Sequence, residues 1–188
     1  MIKGIDISHW NLPNRVKYSD YDFVIIKASE GVTWTDPLKW THATNVNEKK
    51  QGLGFYHYAR PENGNRPEDE AMNFLREVAP YKGRAMLALD WEGEALKCPI
   101  IWAREWMDFV YKQTGTRPLF YCQYSYTDKI DLIRSGNYGI WMARYNKSLT
   151  AKDAKAKDKK AIAIWQHSSD PIDQDVFYGT LAQFRKYY

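Results

Sequence analysis

The feature that most constrains the fold is a recurrence. Eight short runs, many rich in β-branched and aromatic residues, are spread along the chain, with helix-length segments between the earlier ones. They are KGIDIS (3–8), DFVIIKAS (22–29), GLGFYHY (52–58), RAMLALDWE (84–92), PLFYCQ (118–123), GIWMARY (139–145), AIAIWQH (161–167) and DQDVFY (173–178). Helical stretches fall at 37–50 after Asp36-Pro37, at 67–79 opening with Pro67 and acidic Glu68, Asp69 and Glu70, at 99–114 before Gly115, and at 125–135. Ala71, Phe74, Leu75 and Val78 make an apolar stripe on the second. Ile101, Trp102, Trp106, Phe109 and Val110 make one on the third. Strands alternating with helices demand a parallel sheet covered by helices, and eight strands close into a barrel. After residue 136 the last three strands follow without full helices between them. The expected fold is therefore α/β: an irregular TIM-like barrel of five βα units followed by three strands, (β/α)5(β)3, in one domain over residues 1–188. The tail TLAQFRKYY reads as a short helix or strand.

Composition narrows the function classes. No run of about 20 apolar residues occurs, so no membrane insertion is expected. MIKGIDISHW carries no long apolar run followed by small residues, so no signal peptide is read. The expectation is synthesis in the cytoplasm and release by another route, or secretion if a leader has been removed. Cys98 and Cys122 match no metal spacing and read as unpaired, and the four histidines form no ligand motif. No metal or cofactor is expected. The net charge of +4 is matched by residues 146–160 alone, with six Lys against two Asp. That segment reads as a solvated loop or as weak attraction to an anionic polymer. There is no nucleic-acid-binding motif, and none is expected as a partner. A monomer is expected. The abundance of Trp and Tyr, 8 and 14 residues, suits a core and also the stacking of rings on sugars.

In β/α barrels the active site lies at the C-terminal ends of the strands. Applied here, the rule gathers Asp6 and Ser8, Glu30, Tyr56 to Tyr58, Asp90 and Glu92, Tyr121 and Gln123, Trp141 and Arg144, Trp165 to His167, and Asp173 on one rim. In LALDWEG (87–93), Asp90 and Glu92 share a strand face, with Cα atoms roughly 6.5 Å apart. Paired carboxyls suit glycoside hydrolysis, which needs an acid for the leaving oxygen and a carboxylate against positive charge. Crowding raises the pKa of one of them. The same carboxylates also fit a Mg²⁺ or Ca²⁺ site or a solvated strand end, and the spacing alone leaves these open. His57 reads equally as a core histidine or a substrate contact. Trp10 and Trp34 read as core residues or stacking platforms, and Glu30 as a partner of Lys27 or a reacting group.

With these residues in hand, the chain resembles glycoside hydrolase family 25, the Chalaropsis-type lysozymes or N-acetylmuramidases. GIDISHW (4–10), DFVIIKASEG (22–31), DP (36–37), GLGFYHYARP (52–61), LALDWE (87–92), RPLFYC (117–122), IWMARYN (140–146), IWQHSS (164–169) and IDQDVFYG (172–179) carry the resemblance in order. It implies the barrel counted above. It implies cleavage of the β-1,4 bond between N-acetylmuramic acid and N-acetylglucosamine in peptidoglycan, with retention of configuration. It makes Glu92 the proton donor and Asp90 the second catalytic carboxylate, acting as nucleophile or by orienting the substrate's 2-acetamido group. It matches Asp6 and Asp173 to two further active-site aspartates, and Tyr56, Tyr121, Trp141 and Trp165 to groove-lining aromatics.

The chain departs from the family where VDLN is common and IDQD (172–175) stands here, so that Asp175 replaces a frequent Asn. The preceding Ile favours Asp173 as the site aspartate. No wall-binding repeats are seen, and the expectation is a phage or prophage endolysin catalytic domain. The alternatives are another barrel glycosidase of chitinase type, which would carry a longer acidic strand motif, and a catalytically silent wall-binding barrel, which would not need all four carboxylates.

Overall fold

A computed structural model describes residues 1–48, 50–145 and 162–188. The lysine-rich segment 146–160 lies outside the described residues. Nine strands form one sheet: β1 (Ile2–Ile7), β2 (Phe23–Glu30), β3 (Trp34–Thr35), β4 (Gly52–Tyr58), β5 (Met86–Asp90), β6 (Leu119–Gln123), β7 (Ile140–Ala143), β8 (Ile162–Ser168) and β9 (Gln174–Phe177). All but the two-residue β3 make a closed barrel, because β1 pairs with both β2 and β9. From β1 through β2 and β4 to β8 each neighbouring pair is parallel. β9 runs antiparallel to β8 and β1. The cause is connection length. Only residues 169–173 separate β8 from β9, and a parallel return would need about a dozen. This reversal puts the start of β9 at the rim where the other strands end.

The helices are α1 (Lys39–Glu48), α2 (Pro67–Val78), α3 (Ile100–Thr114), α4 (Asp131–Ser135) and α5 (Leu181–Phe184). The β1–β2 crossover uses two 3-10 turns, Pro13–Arg15 and Tyr18–Asp20. The stretch read as one helix over 125–135 is split into a 3-10 turn, Tyr124–Lys129, and α4. On α3 the buried residues are Ala103, Trp106, Met107 and Val110, while Ile101 stays exposed, so the apolar face is rotated from the one expected. Trp106 stacks on His57 and packs on Phe74, and this contact sets the rotation.

Strand alternation divides the core in two. Ile5, Ile7, Val24, Ile26, Phe55, Leu87, Leu89 and Trp91 face the helices. Phe23, Ile25, Tyr56, Met86, Ala88, Leu119, Tyr121, Trp141, Ile164 and Phe177 fill the lumen. Each fully buried large side chain contributes about 1.5–3 kcal/mol. α5 closes the lower mouth with Phe184, whose ring lies 4.7 Å from Phe23 and 5.4 Å from Phe177. A Thr180–Gln183 capping box starts this helix. The tail is thus a helical plug, and the lumen turns polar only toward the other end.

Candidate active site

The polar end is built from residues on every side of the barrel. Asp6 ends the inward face of β1, Asp90 ends β5, and Asp175 stands near the start of β9. Each is at most 7% exposed. Glu92 lies beyond the end of β5 in extended conformation and is half-buried. The Trp91 amide continues the ladder to the Tyr121 carbonyl at 3.1 Å, and this keeps Glu92 on the same side as Asp90. Gly93 then turns the chain at φ +58°, where a Cβ would meet the Tyr58 hydroxyl at 2.9 Å. Asp173 is half-buried at the rim, and its carbonyl accepts from the Asp6 amide at 3.3 Å.

Below the carboxylates lies an aromatic floor. Tyr121 and Trp141 meet edge-on at 4.7 Å, and Tyr56 meets Trp141 at 6.2 Å. Trp141, at 2% exposure, has no open ring face, and its indole N–H donates to Asp175 Oδ1 at 2.8 Å. Trp165 sits on the opposite face of β8 from the inward Gln166, and its N–H donates to the Arg144 carbonyl at 2.8 Å. The structure thus brings Asp6, Asp90, Glu92, Asp173, Tyr56, Tyr121 and Trp141 together, and places Trp165 behind the strand end.

Glu30 is held by ion pairs. Lys27 Nζ lies 2.7 Å from one oxygen and Arg60 2.6 Å from the other. Burial alone would raise its pKa, but these two cations outweigh it and the carboxyl stays below its ordinary range. His57 is a core histidine, fully buried between Ser29 at 2.9 Å and Glu70 at 2.8 Å. Trp10 is 82% exposed and Trp34 37%, with the His9 ring 4.5 Å and 5.2 Å from them. Both therefore belong to the surface of the rim rather than to the core.

The site carboxyls repel one another. Burial raises Asp90 well above the carboxylate range, and the negative charge of Glu92 raises it further, while Lys27 opposes. Burial also raises Glu92, with Lys27 opposing and Asp173 adding to the rise. Burial raises Asp173. Asp6 is raised by burial and then by Asp175 and Asp173. Crowding of this kind spreads the titrations of the carboxyls apart. Among the described residues no group of three His, Cys, Asp or Glu side chains is arranged to hold a metal ion.

Two side chains of this site escape the reading by strand ends, Lys27 and Asp175, and Gln166 is gathered within the Trp165–His167 strand end without a role. The Gln166 amide donates to Asp6 Oδ2 at 2.7 Å. Asp175 was set aside in favour of Asp173, yet two residues apart on one strand both face inward.

The family model for Glycosyl hydrolases family 25 matches residues 5–176. The chain belongs to that family. Its enzyme class is glycoside hydrolase. The family-25 barrel is shared with a muramidase from Acremonium alcalophilum, at TM-score 0.81 and 21% identity, covering 100% of this chain and 98% of that one. A family GH25 lysozyme from Aspergillus fumigatus gives TM-score 0.81 at 25% identity, covering 99% and 98%. An autolytic lysozyme of Clostridium acetobutylicum is 30% identical over 162 residues, 81% of this chain and 48% of that protein. The chain thus spans about half the length of that curated relative. A cavity of about 680 Å³ opens at the other end of the barrel, lined by Tyr111, Arg117, Arg134, Tyr138 and Lys186. It lacks the paired acidic side chains that glycosidase chemistry needs.

Proposed function

We propose that residues 1–188 act as one catalytic domain that hydrolyses peptidoglycan at the β-1,4 bond between N-acetylmuramic acid and N-acetylglucosamine, with retention of configuration. The observation that carries this reading is the Asp90–Glu92 pair. It stands on one face at a barrel rim of the lysozyme family, one carboxyl buried and the other half-open.

Glu92, the more accessible, donates its proton to the glycosidic oxygen as the C–O bond breaks and the electrons pass to that oxygen. Asp90 beneath it bears negative charge toward the sugar carbon, either directly or through the substrate's 2-acetamido group. Glu92 then takes a proton from the incoming water. Lys27, set opposite both, keeps the pair from holding two protons. Tyr56 and Tyr121 floor the subsite, and exposed Trp10 and Trp34 offer ring faces to neighbouring sugars. The bacterial wall is the place of action.

Purified peptidoglycan incubated with wild type and with Glu92→Gln tests the reading. Wild type is expected to release new reducing muramic acid ends as the β anomer, and the variant almost none. Reducing glucosamine ends, or equal release by the variant, would overturn it.

A further inference from the structure

One carboxyl oxygen at the heart of the barrel has no donor. Asp175 is 1% exposed, and its Oδ1 accepts from the Trp141 indole. Its Oδ2 is buried and unpartnered among the described residues. A buried polar atom left so costs about 1–3 kcal/mol, more if charged. The Asp6 carboxyl lies in hydrogen-bonding reach of the Asp175 carboxyl. Asp6 Oδ2 is already taken by the Gln166 amide. The carbonyl of the same amide accepts from Tyr121 and from Tyr145, each at 3.0 Å.

Two buried carboxylates in hydrogen-bonding reach, each already accepting on one oxygen, repel when both are ionised. A single proton between them removes the repulsion and supplies the missing donor. We infer that Asp175 is a positioning residue that shares this proton with Asp6, its Oδ2 bonded to the Asp6 carboxyl, fixing the Asp6 side of the rim opposite Asp90 and Glu92.

Among the described residues no other side chain hydrogen-bonds to Asp175 Oδ2. Facing the pair are Asp173 beside it, Gln166 on β8, Trp141 on β7, Tyr121 on β6, Tyr56 on β4, Asp90 on β5 and Glu92 beyond it. Lys27 on β2 is committed to Glu30. Trp141 already donates to Asp175 Oδ1 and Gln166 to Asp6 Oδ2. Burial is the main force holding the proton, and it pushes Asp175 up to about 7. An amide at this position would donate at every pH, so the carboxyl makes the contact depend on protonation.

The inference rests on the proposed hydrolysis for its effect on turnover, but the proton can be read without substrate. In wild-type protein carrying ¹³C-labelled aspartate carboxyls, two carboxyl signals are expected to titrate together near neutrality, and Asp175→Asn is expected to abolish the coupling. On peptidoglycan, Asp175→Asn is expected to move the alkaline limb of kcat up by at least about one pH unit. Asp175→Ala should lower kcat throughout, with Asn restoring it. Independent titration of Asp6 and Asp175 in the ordinary carboxylate range would overturn the shared proton. An alkaline limb unmoved by Asn would overturn its role in positioning. Coupled titration in a protein that cleaves no peptidoglycan would support the proton and count against the hydrolysis.

Discussion

Two sets of acidic side chains are buried in this barrel, and they are treated in opposite ways. Glu70 and Asp36, outside the lumen, are fully enclosed and fully partnered. Glu70 accepts from His57 and Asn65 at 2.8 Å each and from the Arg60 amide at 3.0 Å. Asp36 accepts from the His9 amide at 2.8 Å, the His9 ring at 3.1 Å and the Leu38 amide at 2.9 Å. Inside the lumen, Asp90 Oδ1 and Asp175 Oδ2 have no partner among the described residues, and the acids crowd one another. The first set joins loops and helices to strand ends. The second is held against its own repulsion by the surrounding fold, as expected of groups kept for chemistry.

The comparison breaks most sharply at Glu92. Glu92→Gln is expected to lower kcat on peptidoglycan by about 10³-fold with little change in unfolding free energy, by the usual weight of a general acid. Urea unfolding beside turnover checks both halves. Glu70→Ala should do the reverse. It leaves the His57, Asn65 and Arg60 donors unpartnered, costs about 3 kcal/mol of stability, and spares kcat at temperatures where the variant is folded. A catalytic defect in folded Glu70→Ala would erase the distinction.

Smaller effects sharpen it. Lys27 lowers the pKa of both Asp90 and Glu92, so Lys27→Met should raise both. The acid limb of the kcat profile then moves to higher pH by about one unit. A limb that moves down, or stays, would remove Lys27 from the electrostatics of the pair. The smallest effect is on stability. The folded pKa of Asp175 lies above the unfolded value, so its contribution is complete at low pH and is lost as pH rises from about 4 to about 7. Asp175→Asn should flatten that decline, which chemical unfolding at a series of pH values measures.

Much of this was legible in the sequence. Strand runs bounded by turn residues gave the barrel, and the strand-end rule gathered Asp6, Asp90, Glu92 and Asp173. The antiparallel β9 was not foreseen, although the short span between Ser168 and Gln174 contains the reason. Ile101 was misplaced because the helix period fixes a stripe only to within a residue, and the contact of Trp106 with His57 decided the rotation. Asp175 was missed by choosing between two aspartates that strand periodicity places on the same face. Lys27 was missed, and Gln166 was placed on the rim without a role, because the part each plays depends on which distant strand it meets, and closure of the barrel settles that.

The central claim is that the crowded carboxylates at the rim serve the chemistry and the fully partnered ones hold the frame. Reducing-end analysis of peptidoglycan digested by wild type, Glu92→Gln and folded Glu70→Ala tests it most directly. The account predicts new muramic acid ends from wild type and Glu70→Ala and almost none from Glu92→Gln. Release by Glu92→Gln at the wild-type rate would contradict it.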